Sequence, residues 1–165
     1  MMMRTVSVAA SLLIFVAGSA QATDTPSDRD TLKGLKSVTV LIKALDPELE
    51  RDAVTGTQLM TDVELRLRQS GIRVVEDSKS EGVLAVLVNA LKLSGRNGYV
   101  FSVDLEFSQR VTLLRTSQLV LAATWGAPPL VGIAPQDRVS QRVRDGVRDM
   151  IDEFINAFLS VNPKP

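Results

Sequence analysis

The sequence predicts a single α+β domain, a mostly antiparallel sheet of about five strands with two amphipathic helices on one face. Three observations carry that prediction. Tyr99, Phe101, Val103, Leu105 and Phe107 alternate with Ser102, Asp104, Glu106 and Ser108, as in a strand with one buried and one wet face. Val139, Val143, Val147, Met150, Ile151, Phe154, Ile155, Phe158 and Leu159 recur at spacings of three and four, forming one wide apolar helical stripe. Asn97-Gly98 stands between two strand-like runs as a hairpin signal.

Taken in order, residues 1–22 read as a cleavable export signal. Arg4 is the only charge before Asp24, Val6 to Ala17 is almost unbroken apolar sequence, and Ala20 and Ala22 supply the small residues a signal peptidase reads. Cleavage is expected after Ala22. A membrane span needs roughly 20 apolar residues and this run is well short, so no stable membrane insertion is expected once it is removed. Residues 23–31 are polar and read as a flexible leader. Residues 32–165 carry no linker, repeat or low-complexity tract and read as the one domain.

Ser37 to Leu45 is short and β-branched, a first strand. Asp46-Pro47-Glu48 has the acceptor, proline and acid of a helix start. Thr55-Gly56-Thr57-Gln58 has capping-box spacing, so a helix is expected over 56–70, with Leu59, Val63, Arg66 and Leu67 on one stripe and Gly71 ending it. Ile72 to Glu76 is a short strand. Val83 to Leu93 is apolar on both sides, either a strand covered twice or one central in the sheet. After the alternating strand, a turn near Thr116-Ser117 leads to a last strand, Leu119 to Trp125. Gly126 to Pro135 holds three prolines and two glycines and reads as a loop into the final helix, which Asn162-Pro163 stops.

Composition excludes more chemistry than it suggests. The chain is 45% hydrophobic, too apolar for a disordered segment. Its 19 basic and 19 acidic residues cancel, so no long-range field draws it to nucleic acid or an anionic membrane. With no cysteine and no histidine there is no thiol nucleophile, no imidazole base and no ordinary zinc site. Asp46, Glu48, Glu50 and Asp52 space oxygen donors as a calcium loop begins, but Arg51 stands where that loop needs glycine and Thr57 where it needs glutamate. Asp104 and Glu106, about 7 Å apart along a strand, match a glycosidase pair in spacing only, and the neighbouring Arg110 favours a solvated strand face. No Ser-x-x-Lys motif, nucleophile elbow, phosphate loop or dinucleotide fingerprint occurs. Arg138, Arg142, Arg144 and Arg148 are interleaved with Asp145, Asp149, Asp152 and Glu153, a charged helix face. No catalytic, cofactor-binding or metal-binding residue is predicted.

Two resemblances follow. The run Val63 to Ile72 (VELRLRQSGI), Thr124-Trp125 and the ending Ile151 to Pro163 (IDEFINAFLSVNP) resemble a widespread group of small exported bacterial proteins of unknown function. Element order alone is similar to the amino-terminal domain of TolB and envelope domains of the curli-secretion type, which implies a non-enzymatic interaction module. The expectation is therefore a periplasmic or secreted protein that binds another cell-envelope component. Its expected contact surface is the face bearing Asp104, Glu106 and Arg110 together with Trp125 and the loop residues Gly126, Pro128, Pro129 and Gly132. The alternatives are a carrier holding an apolar ligand or lipid between sheet and helices, and a homo-oligomer formed through exposed strand edges.

Overall fold

The structure, a computed structural model, describes residues 22–163 apart from residues 53, 77, 78 and 96. The expected signal segment, all but its last residue Ala22, lies outside the described residues.

Residues 23–31, expected to be a flexible leader, carry helix α1 (Pro26–Asp30). Thr25 and Asp28 form a reciprocal capping box, the Thr25 hydroxyl accepting from the Asp28 amide at 3.2 Å and the Asp28 carboxylate from the Thr25 amide at 3.2 Å. Strand β1 (Ser37–Ile42) follows, then α2 (Pro47–Arg51), capped by Asp46, whose carboxylate accepts from the Glu48 amide at 2.7 Å. Helix α3 (Gly56–Gln69) opens on Thr55, which accepts from the Gln58 amide, and ends before Gly71 at φ +87. Leu59, Val63 and Leu67 are its buried face.

The remaining elements are β2 (Arg73–Val74), β3 (Gly82–Lys92), β4 (Gly98–Thr112), β5 (Leu119–Gly126), β6 (Leu130–Pro135) and α4 (Val139–Val161), entered through a 3₁₀ turn at Gln136–Arg138. They make one six-stranded α+β sheet in the order β2-β1-β3-β4-β5, with β6 also paired to β4. Strand β1 runs parallel to β2 and β3, while β3, β4, β5 and β6 pair antiparallel. The parallel β1–β2 pair needs a long crossover, and α2 and α3 supply it. Of the two readings open for β3, the structure shows the central one.

The hairpin between β3 and β4 turns through Gly95, at φ +74 in the left-handed region that favours glycine, with the Leu93 amide donating to the Gly98 carbonyl. The sixth strand corrects the expected loop over 126–135. Gly126 ends β5, and 130–135 pair with β4 from Val103 back to Gly98. Strands β5 and β6 are thus two halves of one edge strand along β4, kinked at Ala127-Pro128-Pro129. Prolines are tolerated there because an edge strand needs ladder hydrogen bonds on one side only.

Helices α3 and α4 cover one sheet face. Leu84, Val86 and Val88 of β3 and the odd-numbered residues 99–107 of β4 point into that layer and are buried. They meet Val139, Val143, Val147, Met150, Ile151, Phe154 and Ile155 of α4, all buried, with Phe158 and Leu159 half-buried. Phe154 lies 5.7 Å from the Phe107 ring and 5.2 Å from that of Trp125, the latter edge-on. Arg66 pairs with Asp152 and Arg144 with Asp62, each through two contacts, tying α3 to α4.

Candidate functional site: the open face of the sheet

Among the described residues the other face of the sheet carries no helix. Residues paired across an antiparallel ladder point to the same side, so the register fixes what stands there. On β4 the row is Val100, Ser102, Asp104, Glu106, Ser108, Arg110 and Thr112. Leu91 on β3 and Ile133 on β6 flank Val100; Asn89 and Val131 flank Ser102; Leu121 pairs with Arg110 and Leu119 with Thr112.

One irregularity in β5 decides this arrangement. Phe107 pairs with Trp125, but Ser108 pairs with Ala123, so Thr124 is an extra residue and the strand bulges. Strict alternation would put Leu119, Leu121, Ala123 and Trp125 on one side. The bulge turns Trp125 into the core, where it is 0% exposed, and leaves Leu119 and Leu121 outside at 64% and 65%. The indole N–H donates to Asp24 Oδ1 at 2.8 Å, and Asp24 pairs with Arg29 at 2.5 Å. Residues 22–24 cross the end of β5 here, the Gly126 amide donating to the Thr23 carbonyl.

The expected contact residues therefore separate. Asp104 is half-buried, and Glu106 and Arg110 are exposed, all on the open face. Ser102 donates to Asp104 and Ser108 to Glu106, but none of the three charges forms an ion pair among the described residues. Pro128 and Pro129 are exposed at the kink. Trp125, placed on the contact surface by the sequence, is a core residue on the other side. Gly126 is buried at the end of β5, where a Cβ would lie 2.6 Å from the Ala22 carbonyl oxygen of the uncut chain and 3.5 Å from that of Leu105. Gly132 makes room for Phe101, whose ring end a Cβ would meet at 2.5 Å.

Sequence reasoning missed the aliphatic part of the surface. Among the described residues nine large hydrophobic side chains are exposed, and Leu41, Leu91, Leu119, Leu121, Val131 and Ile133 stand on this face. The face expected to be wet is apolar at both ends and charged in the middle. Val131 and Ile133 carried a usable signal, as they alternate with Gly132 and Ala134. Leu119 and Leu121 did not, because their side depends on the bulge.

Asp52 and Tyr99 are engaged in the fold. Asp52 accepts hydrogen bonds from Tyr99 and from Gln136 at 3.0 Å, with the Lys92 ammonium 3.7 Å away. The Tyr99 hydrogen bond, chiefly, holds the Asp52 carboxyl below its ordinary range; in return the hydrogen bond to Asp52, then burial, push the Tyr99 hydroxyl up to about 12. A groove of about 540 Å³ runs between α3 and α4, and its rim includes Asp62 and Arg144, already paired, above Val63, Val147 and Ile151. Among the described residues no cluster of His, Cys, Asp and Glu could hold a metal ion, and no helix is long and apolar enough to cross a membrane.

No protein-family model matches the chain, and no curated protein matches it. Among solved structures, the chain is similar to PelC from Paraburkholderia phytofirmans. One match is the dodecamer of a single-residue variant, at 15% identity and TM-score 0.44, covering 73% of this chain and 89% of that one. Another is a PelC dodecamer at 16% identity and TM-score 0.42, covering 74% and 86%. At those values the likeness carries no argument about activity or assembly.

Proposed function

We propose that this chain is a non-enzymatic binding module of the bacterial cell envelope that docks through the open face of its sheet. Its amino-terminal segment is the export signal, cut after Ala22, and the working compartment is periplasmic or extracellular. The observation that carries the reading is the surface itself. Six exposed aliphatic side chains bracket Asp104, Glu106 and Arg110 on a face with no element of this chain over it among the described residues. Exposed aliphatic groups of this kind, set around a few charges, are what docking sites expose. The alternative of an apolar-ligand carrier has nothing comparable behind it, because the layer between sheet and helices is filled by Phe107, Trp125 and Phe154.

The test is capture from cross-linked envelope extract using the processed chain and two variants. Leu121→Asp charges the open face, while Leu65→Asp charges an α3 position that is 54% exposed. Trp125 fluorescence verifies that both fold. Loss of the captured partner with Leu121→Asp alone supports the reading. Equal capture by all three removes the open face as the docking surface.

A further inference from the structure

We infer that the partner this face is built for is a second copy of the chain, stacked face to face about a two-fold axis that crosses β4 at Ser108. The inference rests on the open face being the docking surface.

The charges on β4 decide the geometry. Along its outward row Glu106 lies one step before Ser108 and Arg110 one step after. A two-fold in the interface plane, perpendicular to β4 at Ser108, sets Arg110 opposite Glu106 of the second copy, and by symmetry does so twice. An axis running along the strand would set Arg110 against Arg110 instead. The first arrangement supplies the counter-charges that Glu106 and Arg110 lack within the described chain.

The apolar ends fit the same axis. The β4–β5 hairpin extends past Thr112 and presents Leu114, 99% exposed. As far beyond Ser108 on the other side lies the end of the face with Val131 and Ile133, 69% and 73% exposed. The two-fold lays each hairpin tip on the other copy's Val131–Ile133 end. About this axis the ribbon of β4 and its β5–β6 neighbour, from Ser102 to the hairpin tip, faces its own counterpart; two strands about 4.8 Å apart over about 13 residues of about 3.4 Å cover on the order of 400 Å² per copy. That is the scale of a weak, concentration-dependent dimer, below the roughly 800 Å² per partner of a standard interface.

Two stretches of strand edge do not compete. The Gln136 amide donates to the Asn97 carbonyl, which by alternation turns only the Val131 and Ile133 amides outward on β6, between Pro128-Pro129 and Pro135. So short an edge, stopped by proline at both ends, is blunted against strand addition. At the opposite edge β2 has two residues. Strand addition at β6 and at β2 is thus disfavoured against association through the face.

The chain contains no cysteine, so Ser108→Cys introduces a single thiol on the axis. Stacked sheets lie about 10 Å apart, too far for a disulfide but within reach of a short bis-maleimide. That reagent should link Ser108→Cys into dimers and leave Ser102→Cys, on the same face but off the axis, unlinked. In sedimentation equilibrium of the processed chain, Arg110→Glu and Glu106→Arg should each weaken dimerisation by about tenfold, and the double exchange should restore it. A monomer mass at all concentrations up to about 1 mM, or no recovery in the double exchange, overturns the inference. If the chain is monomeric while Leu121→Asp still abolishes envelope capture, only the second-copy partner falls. If Leu121→Asp also captures normally, the docking face falls with it.

Discussion

Replacing Asp24 by alanine, in the chain that begins at Thr23, tests whether the segment before β1 is part of the core. The Trp125 indole N–H is wholly buried and its acceptor is Asp24 Oδ1 at 2.8 Å. Leaving such a donor unpaired costs about 1–3 kcal/mol. The pair with Arg29, whose side chains are 39% and 21% exposed, is screened by solvent and adds little. The expected loss is about 2 kcal/mol, a fall in thermal midpoint of about 5–10 °C for a domain of this size. Urea unfolding followed by Trp125 fluorescence reads it without ambiguity, because the chain has one tryptophan. Arg29→Gln removes only the solvent-screened ion pair and should cost clearly less than Asp24→Ala. The Asp24 carboxyl is held below its ordinary range, first by its hydrogen bond from Arg29. Its contribution is therefore fully present above the unfolded aspartate range and is lost as pH falls through the lowered value. If Asp24→Ala is no more destabilising than Arg29→Gln, the indole bond carries nothing and the reasoning fails.

Two further predictions concern groups fixed by packing. Tyr99 is the only tyrosine, so phenolate absorbance reports it alone; its midpoint should lie at about 12, not 10.0, and Asp52→Asn should lower it while burial keeps it above 10.0. Since the folded state holds that proton more tightly, the associated stability is present below pH 10.0 and lost as pH rises toward about 12; a midpoint at 10.0 would show the hydrogen bond to be absent. Gly132→Ala should cost about 1–3 kcal/mol in thermal unfolding, because its Cβ would meet the end of the Phe101 ring at 2.5 Å, and Phe101→Leu should recover part of the loss. An unchanged midpoint would mean the ring has room to move.

Much of the fold was legible in local patterns. Side-chain period placed α4 and β4, the capping-box spacing at Thr55 with its apolar stripe placed α3, and the Asp46 and Thr55 starts are the observed caps. The charged part of the candidate site followed too, since alternation within one strand fixes that Asp104, Glu106 and Arg110 share a face. Reading Gly126–Pro135 as a loop failed because proline and glycine weigh against a strand locally, whereas an edge position beside β4 tolerates them. Reading residues 23–31 as a flexible leader failed because their order depends on a partner far along the chain, Trp125, which takes Asp24 as its acceptor.

The sequence by itself determined which stretches become helix or strand and which face of each is apolar, because those follow from periods of 3.6 and 2 within one segment. Only the tertiary structure decided which apolar residues end up outside. A single extra residue at Thr124 reverses the parity of β5, drawing Trp125 into the core and turning Leu119 and Leu121 out beside Arg110. No periodicity within β5 marks that residue, because a bulge exists only relative to the strand it pairs with.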